Sequence, residues 1–244
     1  KISSNFKGNK AAKSGGAIFI RSIAENNEIE STFTDNKASY GAGIFFYNEA
    51  NNNTIKSDFI NNIALSCGGA MFFYSKTNYN TFQENYISNR ADGLIDEING
   101  NGGAITFKNT SKNSIFNCNF ANNTARLNGG AVNYRMTPYN ITFNCNFINN
   151  TAKNGGGLNF FNNFYNINFN SNFIENNATY GGGIAIKDEG NNNLTPDTPA
   201  KNSISNCNFT TNTAEIGGAI FTNAKADLIN YRKWHEKYHQ QLCL

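Results

Sequence analysis

The chain has 244 residues, 20 basic and 17 acidic side chains, a net charge of +3 and 39% hydrophobic residues. That length suits one sizeable domain or one solenoid, and the near-neutral balance points to neither nucleic acid nor an anionic membrane surface. No run of 18 apolar residues occurs, so no segment reads as a membrane-spanning helix.

The first predicted element begins at once. Ile2, Ser4 and Phe6 alternate with polar residues, as a half-buried strand requires. Asn9 and Ala11 follow, then Gly15-Gly16-Ala17-Ile18. This order recurs seven more times. The anchors are Phe6, Phe33, Phe59, Tyr86, Phe120, Phe147, Phe173 and Phe209. Each has Asn three positions later (Asn9, Asn36, Asn62, Asn89, Asn123, Asn150, Asn176, Asn212) and Ala two positions after that. Successive anchors lie 27, 26, 27, 34, 27, 26 and 36 residues apart. A repeat of this period indicates a stacked, elongated architecture.

The run before each anchor places apolar groups on one side and amides on the other: Ile141, Phe143, Cys145 and Phe147 oppose Thr142, Asn144 and Asn146. A second strand follows each glycine pair, with inward pairs such as Ile44/Phe46, Met71/Phe73, Ile105/Phe107 and Leu158/Phe160. In the last unit, Ile220/Thr222, the apolar pair fails. No helical period is convincing before residue 224, and the chain is rich in Asn, a poor helix former. Propeller blades would need four strands in about 40–45 residues. The fold class expected is therefore all-β: a single-stranded right-handed parallel β-helix of about eight coils. At about 4.8 Å per coil, the rod would be roughly 35–40 Å long. Right-handed winding follows from the dominance of right-handed crossovers in parallel sheets. The recurring Asn residues are expected to bond to the coils above and below. The glycine pair is expected at a turn or a close backbone approach.

Four places break the pattern, and functional residues are sought there. Glu84 occupies a slot filled by small residues in other units, so a local bulge turning it outward is expected. The insertion after Ala91 carries Asp96 and Glu97. A second, from Lys187 to Ala200, carries Asp188, Glu189 and Asp197. Both read as solvated loops whose acids need not converge. The fourth is the tail. Leu228, Tyr231, Trp234, Tyr238 and Leu242 fall at helical spacing, giving a short C-terminal helix over 225–244 that caps a repeat domain spanning 1–224. Its His235-Glu236-Lys237-Tyr238-His239 matches a zinc-protease pattern, with Cys243 on the same face. No enclosing protease domain precedes it, so no metal, cofactor or catalytic residue is assigned.

Five cysteines are present. Cys118, Cys145 and Cys207 share a slot with Ser4, Ser31, Ser57 and Ser171, which reads as a buried file of small residues. Their side chains would point in parallel, a poor disulfide geometry. Residue 1 lies inside a predicted strand and no signal-peptide pattern is present, so the chain reads as a fragment lacking its export signal. Asn52, Asn109, Asn122, Asn140, Asn149, Asn177, Asn193 and Asn208 stand in glycosylation acceptor triplets.

The motifs Phe6-Lys-Gly-Asn9, Phe59-Ile-Asn-Asn62 and Phe209-Thr-Thr-Asn212, with Gly15-Gly16-Ala17-Ile18, Gly102-Gly103-Ala104-Ile105 and Gly217-Gly218-Ala219-Ile220, resemble those of the chlamydial polymorphic membrane proteins. The Asn-rich, Thr-containing surface is more similar still to adhesin-like proteins of gut methanogenic archaea. The resemblance covers about residues 1–224. It implies a right-handed parallel β-helix displayed extracellularly or on a cell surface, with a role in attachment. The transporter barrel of the chlamydial family is absent from this sequence.

Three functions are weighed. The first is an adhesin-like passenger domain binding surface glycans or proteins of another cell, with contacts spread along the rod rather than focused in one pocket. The second is a β-helix polysaccharide lyase or glycoside hydrolase, which needs clustered acids on one face. No outer strand face repeats Asp or Glu at one slot in neighbouring coils, so the chain is read as no enzyme. The third is a structural spacer of a surface protein. Neither nucleic-acid binding nor membrane insertion by this segment is expected.

Overall fold

The computed structural model describes residues 1–94, 100–162, 164–187 and 204–223. The expected helix over 225–244 lies outside them, as do His235, Glu236, His239 and Cys243.

The chain winds into a parallel β-helix of eight coils. One sheet stacks the eight anchor strands, from Asn5–Lys7 through Thr81–Ile87 and Ile115–Ala121 to Asn208–Thr210. A second stacks the eight strands that follow the glycines, from Ile18–Ile20 to Ile220–Thr222. Shorter ladders close the coil on its remaining sides. Pairing is parallel and places equivalent slots over one another: Phe6 on Phe33, Phe33 on Phe59, Phe59 on Tyr86. Among the described residues no helix is long and apolar enough to cross a membrane.

Left-handed backbone at the corners explains part of the composition. The residue two after each anchor has positive φ in every coil: Gly8, Asp35, Asn61, Ser88, Asn122, Asn149, Glu175 and Thr211. A second corner repeats at Asn26, Asn52, Tyr79, Asn113, Asn140 and Asn166. A third repeats at the first glycine of each pair. Gly and Asn tolerate this region best, so three bends per coil select for them.

The interior consists of aromatic columns. The anchor rings stack from Phe6 to Phe209 with centroids 4.6 to 5.1 Å apart. Phe46, Phe73, Phe107, Tyr134 and Phe160 form a second column. Phe82, Phe116, Phe143 and Phe169 form a third, packed edge-on against the second. Each buried ring contributes roughly 1.5–3 kcal/mol.

The Asn after each anchor is buried from Asn36 to Asn176 and bonded throughout. Asn123 is representative. Its Nδ2 donates to the Tyr86 carbonyl at 2.8 Å and to Asn150 Oδ1 at 3.0 Å. Its backbone N–H donates to the same Oδ1 at 2.9 Å. Its own Oδ1 accepts both donors of Asn89. Asn27, Asn53 and Asn80 begin a second ladder of the same kind, which ends on Ser114.

The strand before the anchor differs from the uninterrupted run that alternation predicts. Most coils split it, as in Glu28–Ile29 and Thr32–Thr34. The cause is the small-residue slot. Ser57 Oγ accepts the backbone N–H of Ser31 at 3.1 Å, and Ser171 Oγ accepts that of Cys145. The hydroxyl takes a bond that the backbone ladder would otherwise make. Only Thr81–Ile87 and Ile115–Ala121, where Glu84 and Cys118 meet in that slot, pair without a break.

Candidate functional site

Glu84 is the first departure to resolve. It is exposed and its φ is 76°. Gln83, Glu84 and Asn85 still pair in register with Asn117, Cys118 and Asn119. No residue is inserted, so the expected bulge is absent. A left-handed backbone at Glu84 turns the carboxylate out of the core instead.

That turn brings Glu84 to an open groove of about 700 Å³, lined also by Glu30, Lys56 and Asp58. Glu30 is ion-paired with Lys1 at 2.5 Å and with Lys56 at 3.5 Å. The Lys1 hydrogen bond holds the Glu30 carboxyl below its usual range and raises the Lys1 ammonium in turn. Asp58 Oδ1 accepts the Asn85 N–H and Nδ2. Glu30 and Asp58 are thus held by neighbours, and among the described residues no group of three His, Cys, Asp or Glu is placed to hold a metal.

The other sequence candidates stay apart from this groove. Asp96, Glu97, Asp188, Glu189 and Asp197 lie outside the described residues. At the base of the first insertion, Arg90 pairs with Asp92 at 2.6 Å and Arg126 donates to the Gly93 carbonyl. Cys118 and Cys145 are free, and both are buried at 4% exposure. Burial pushes the Cys118 thiol well above its usual range and Cys207 up to about 11.

A second site is built on the sheet that follows the glycines. Its strands carry an outward residue between the two inward ones. In the first three coils that residue is Phe19, Phe45 or Phe72. Phe45 and Phe72 are covered by Tyr40 and Cys67 to form a small satellite core outside the coil. Phe19 stays 47% exposed. From the fourth coil the same row becomes Thr106, Asn133, Asn159 and Ala185, and a ring returns only at Phe221 in the last coil.

The residue just past each strand forms a column of its own. Backbone bonds from Tyr47, Tyr74, Lys108, Arg135, Phe161, Lys187 and Asn223 each reach the preceding coil. With Arg21 in front, the column reads Arg21, Tyr47, Tyr74, Lys108, Arg135, Phe161, Lys187, Asn223. It contains four cations, three rings and no acid. Tyr47 and Tyr74 stack at 5.2 Å with planes 10° apart, so their faces meet and their edges point outward. Lys108 Nζ lies 3.8 Å from the Tyr74 ring centroid.

Together these two rows enclose a groove of about 470 Å³ bordered by Phe19, Tyr40, Tyr47, Tyr74, Lys108 and Arg135. Such a groove offers apolar contact, phenol hydroxyls and two cations, and no carboxylate. The groove draws its rings from the first three coils of this face, while other exposed rings, Tyr79 and Tyr139, stand elsewhere on the rod. Sequence reading missed it because these slots vary from coil to coil. The available signal was the acid-free column that appears once the units are aligned on their glycines.

Residues 3–21 match the repeat of the Chlamydia polymorphic membrane proteins. The matched stretch holds the anchor Phe6, the ladder residue Asn9, the glycine pair and the strand Ile18–Ile20. It supports a cell-surface setting in general terms, and it gives no support to the likeness to archaeal adhesin-like proteins. No curated protein and no solved structure shows significant similarity to the chain.

Proposed function

We propose that this chain is an adhesin-like passenger domain of a cell-surface protein, attaching to glycans or proteins of another cell through the aromatic and basic groove. The observation that carries the reading is the grouping of three exposed rings, Phe19, Tyr47 and Tyr74, at 39–47%, on one face of the rod. Grouped exposed rings on a folded surface mark interaction sites. The neighbouring faces carry Asn ladders such as Asn146 to Asn119 and Asn172 to Asn146, whose amides already bond to one another.

The test is glycan-array and cell-attachment binding by the purified domain, beside a Tyr47→Ala/Tyr74→Ala variant. Binding that the double variant loses supports the reading. Absence of binding in both assays overturns it and leaves the spacer role.

One observation favours a second reading, a polysaccharide lyase or glycoside hydrolase. The outward turn of Glu84 puts it in one groove with Asp58 and Glu30. Paired carboxylates flanking a bond are the requirement for glycoside cleavage. Release of new chain ends from a polysaccharide, abolished by Glu84→Gln, would establish this reading; intact polymer after prolonged incubation removes it.

A further inference from the structure

The groove carries a chemical preference that the attachment reading does not specify. Within the column, the ring faces of Tyr47 and Tyr74 are turned toward each other. What they present outward is the ring edge and the hydroxyl. Aromatic edges carry the positive end of the ring quadrupole, and a phenol is a hydrogen-bond donor. The next two rungs present the Lys108 ammonium and the Arg135 guanidinium. Four successive rungs therefore offer an electropositive group. Among the described residues neither Lys108 nor Arg135 is ion-paired to a carboxylate.

The spacing matters as much as the sign. Rungs of a parallel ladder repeat at about 4.8 Å, close to the advance of an extended sugar chain per pyranose. A straight file of donors at this interval fits a linear polymer with one anion per repeat. Most folded protein surfaces offer no such regular file of anions. Arg135 favours carboxylate in particular, because its fork matches the two oxygens.

We propose that the groove binds a linear acidic polysaccharide carrying about one carboxylate per sugar residue. The polymer lies along the rod axis, with carboxylates on Arg135 and Lys108, sugar oxygens against the Tyr74 and Tyr47 hydroxyls, and an apolar sugar face over Phe19. This rests on the attachment reading and names its ligand class.

The probe is fluorescent alginate oligosaccharide titrated with the whole chain, with dextran and heparin in parallel arms. Alginate should bind, dextran should not, and affinity should fall as salt rises. Lys108→Gln/Arg135→Gln should weaken alginate binding roughly ten-fold or more, since hydrogen bonds to charged groups are the strong ones. Lys10→Gln/Lys37→Gln, on another face, should leave it unchanged. Circular dichroism should be identical for all variants. Three outcomes overturn the proposal: no alginate binding, heparin binding without alginate binding, or equal loss in the two double variants. Cell attachment is measured on the same proteins. Attachment that survives Lys108→Gln/Arg135→Gln while alginate fails sinks this inference alone. Absence of all attachment and array binding sinks the attachment reading with it.

Discussion

Asn123 shows how a polar residue holds a core together. It sits at 0% exposure, and its side chain makes four bonds, two as donor and two as acceptor. Ala at this position would orphan the Asn89 amide donors and the Tyr86 carbonyl inside the protein. Each orphaned buried group costs about 1–3 kcal/mol, so Asn123→Ala should destabilise by at least about 3 kcal/mol. Asn146→Ala removes a ladder residue on the outer face, where water replaces the lost bonds; its cost should stay under about 1 kcal/mol. Urea midpoints of the two variants check the contrast, and equal losses would mean the inner ladder is dispensable. The small-residue slot has a different dependence. The Cys207 thiol is pushed up to about 11 by burial, and burial drives Cys118, Tyr86 and Tyr134 in the same direction. An unfolded thiol ionises near pH 8.5. Below that pH the neutral buried thiol contributes its full stability. Above it the unfolded state loses its proton first, and stability falls until the folded thiol ionises near 11. Cys207 alone should lower stability by roughly 1.4 kcal/mol per pH unit across that window. Denaturation curves in reductant from pH 7 to 10.5 should show the decline, and Cys207→Ser should reduce it. A flat profile in the parent protein would show that these groups are solvated.

At the level of the coil, the two glycines of each pair do different work. The first has positive φ in every coil. The second is needed for proximity: a Cβ on Gly130 would stand 2.1 Å from the Gly156 carbonyl oxygen and 2.7 Å from the Thr151 nitrogen of the next coil. Both are backbone atoms and cannot swing aside. The second coil tolerates Ala42 in this slot, and the bond from its N–H to the Gly68 carbonyl is 3.4 Å long. The corresponding bonds at Gly103, Gly130 and Gly156 are 3.1, 3.0 and 3.2 Å. Gly130→Ala should therefore pry two coils apart and cost about 1–3 kcal/mol, the usual range for overpacking, while Ala42→Gly should be tolerated. Thermal melts of both variants decide it; a Gly130→Ala protein as stable as its parent would show that the stack gives freely. This slot also marks how far the sequence was legible. Gly-Gly-Ala-Ile identified turn and strand, because a fixed backbone demand leaves a fixed residue. The split strand before the anchor was not legible. Its break depends on Ser57 and Ser171 hydroxyls reaching the backbone of the preceding coil, a contact between residues 26 apart. Glu84 was read correctly as outward. Its left-handed backbone without an insertion was not, since a one-residue change of φ leaves no trace in spacing.

For the whole rod, the decisive property is whether its coils are interchangeable. The repeated slots predicted the architecture because each coil meets only its neighbours, so the same residues are demanded again and again. The groove escaped that logic: Phe45, Phe72, Lys108 and Arg135 answer to no repeated demand. A chain of nearest-neighbour contacts should survive loss of one whole link. Removing residues 147–172, one 26-residue period from anchor to anchor, would set Phe173 over Phe120 and Asn176 over Asn123. Gly182 would meet Gly130, and Ile186 would meet Tyr134. The anchor, inner Asn and glycine ladders would close again, and the groove in the first five coils would keep its residues. The shortened protein should keep its β-sheet circular dichroism and lose about 4.8 Å in length by small-angle scattering. Removing 147–159 instead deletes half a coil, puts the anchor sheet out of register with the glycine sheet, and should abolish the cooperative transition. If both deletions unfold the protein, stability depends on contacts beyond the nearest neighbour. If both fold, the register that aligns the aromatic columns is not what holds the coils together.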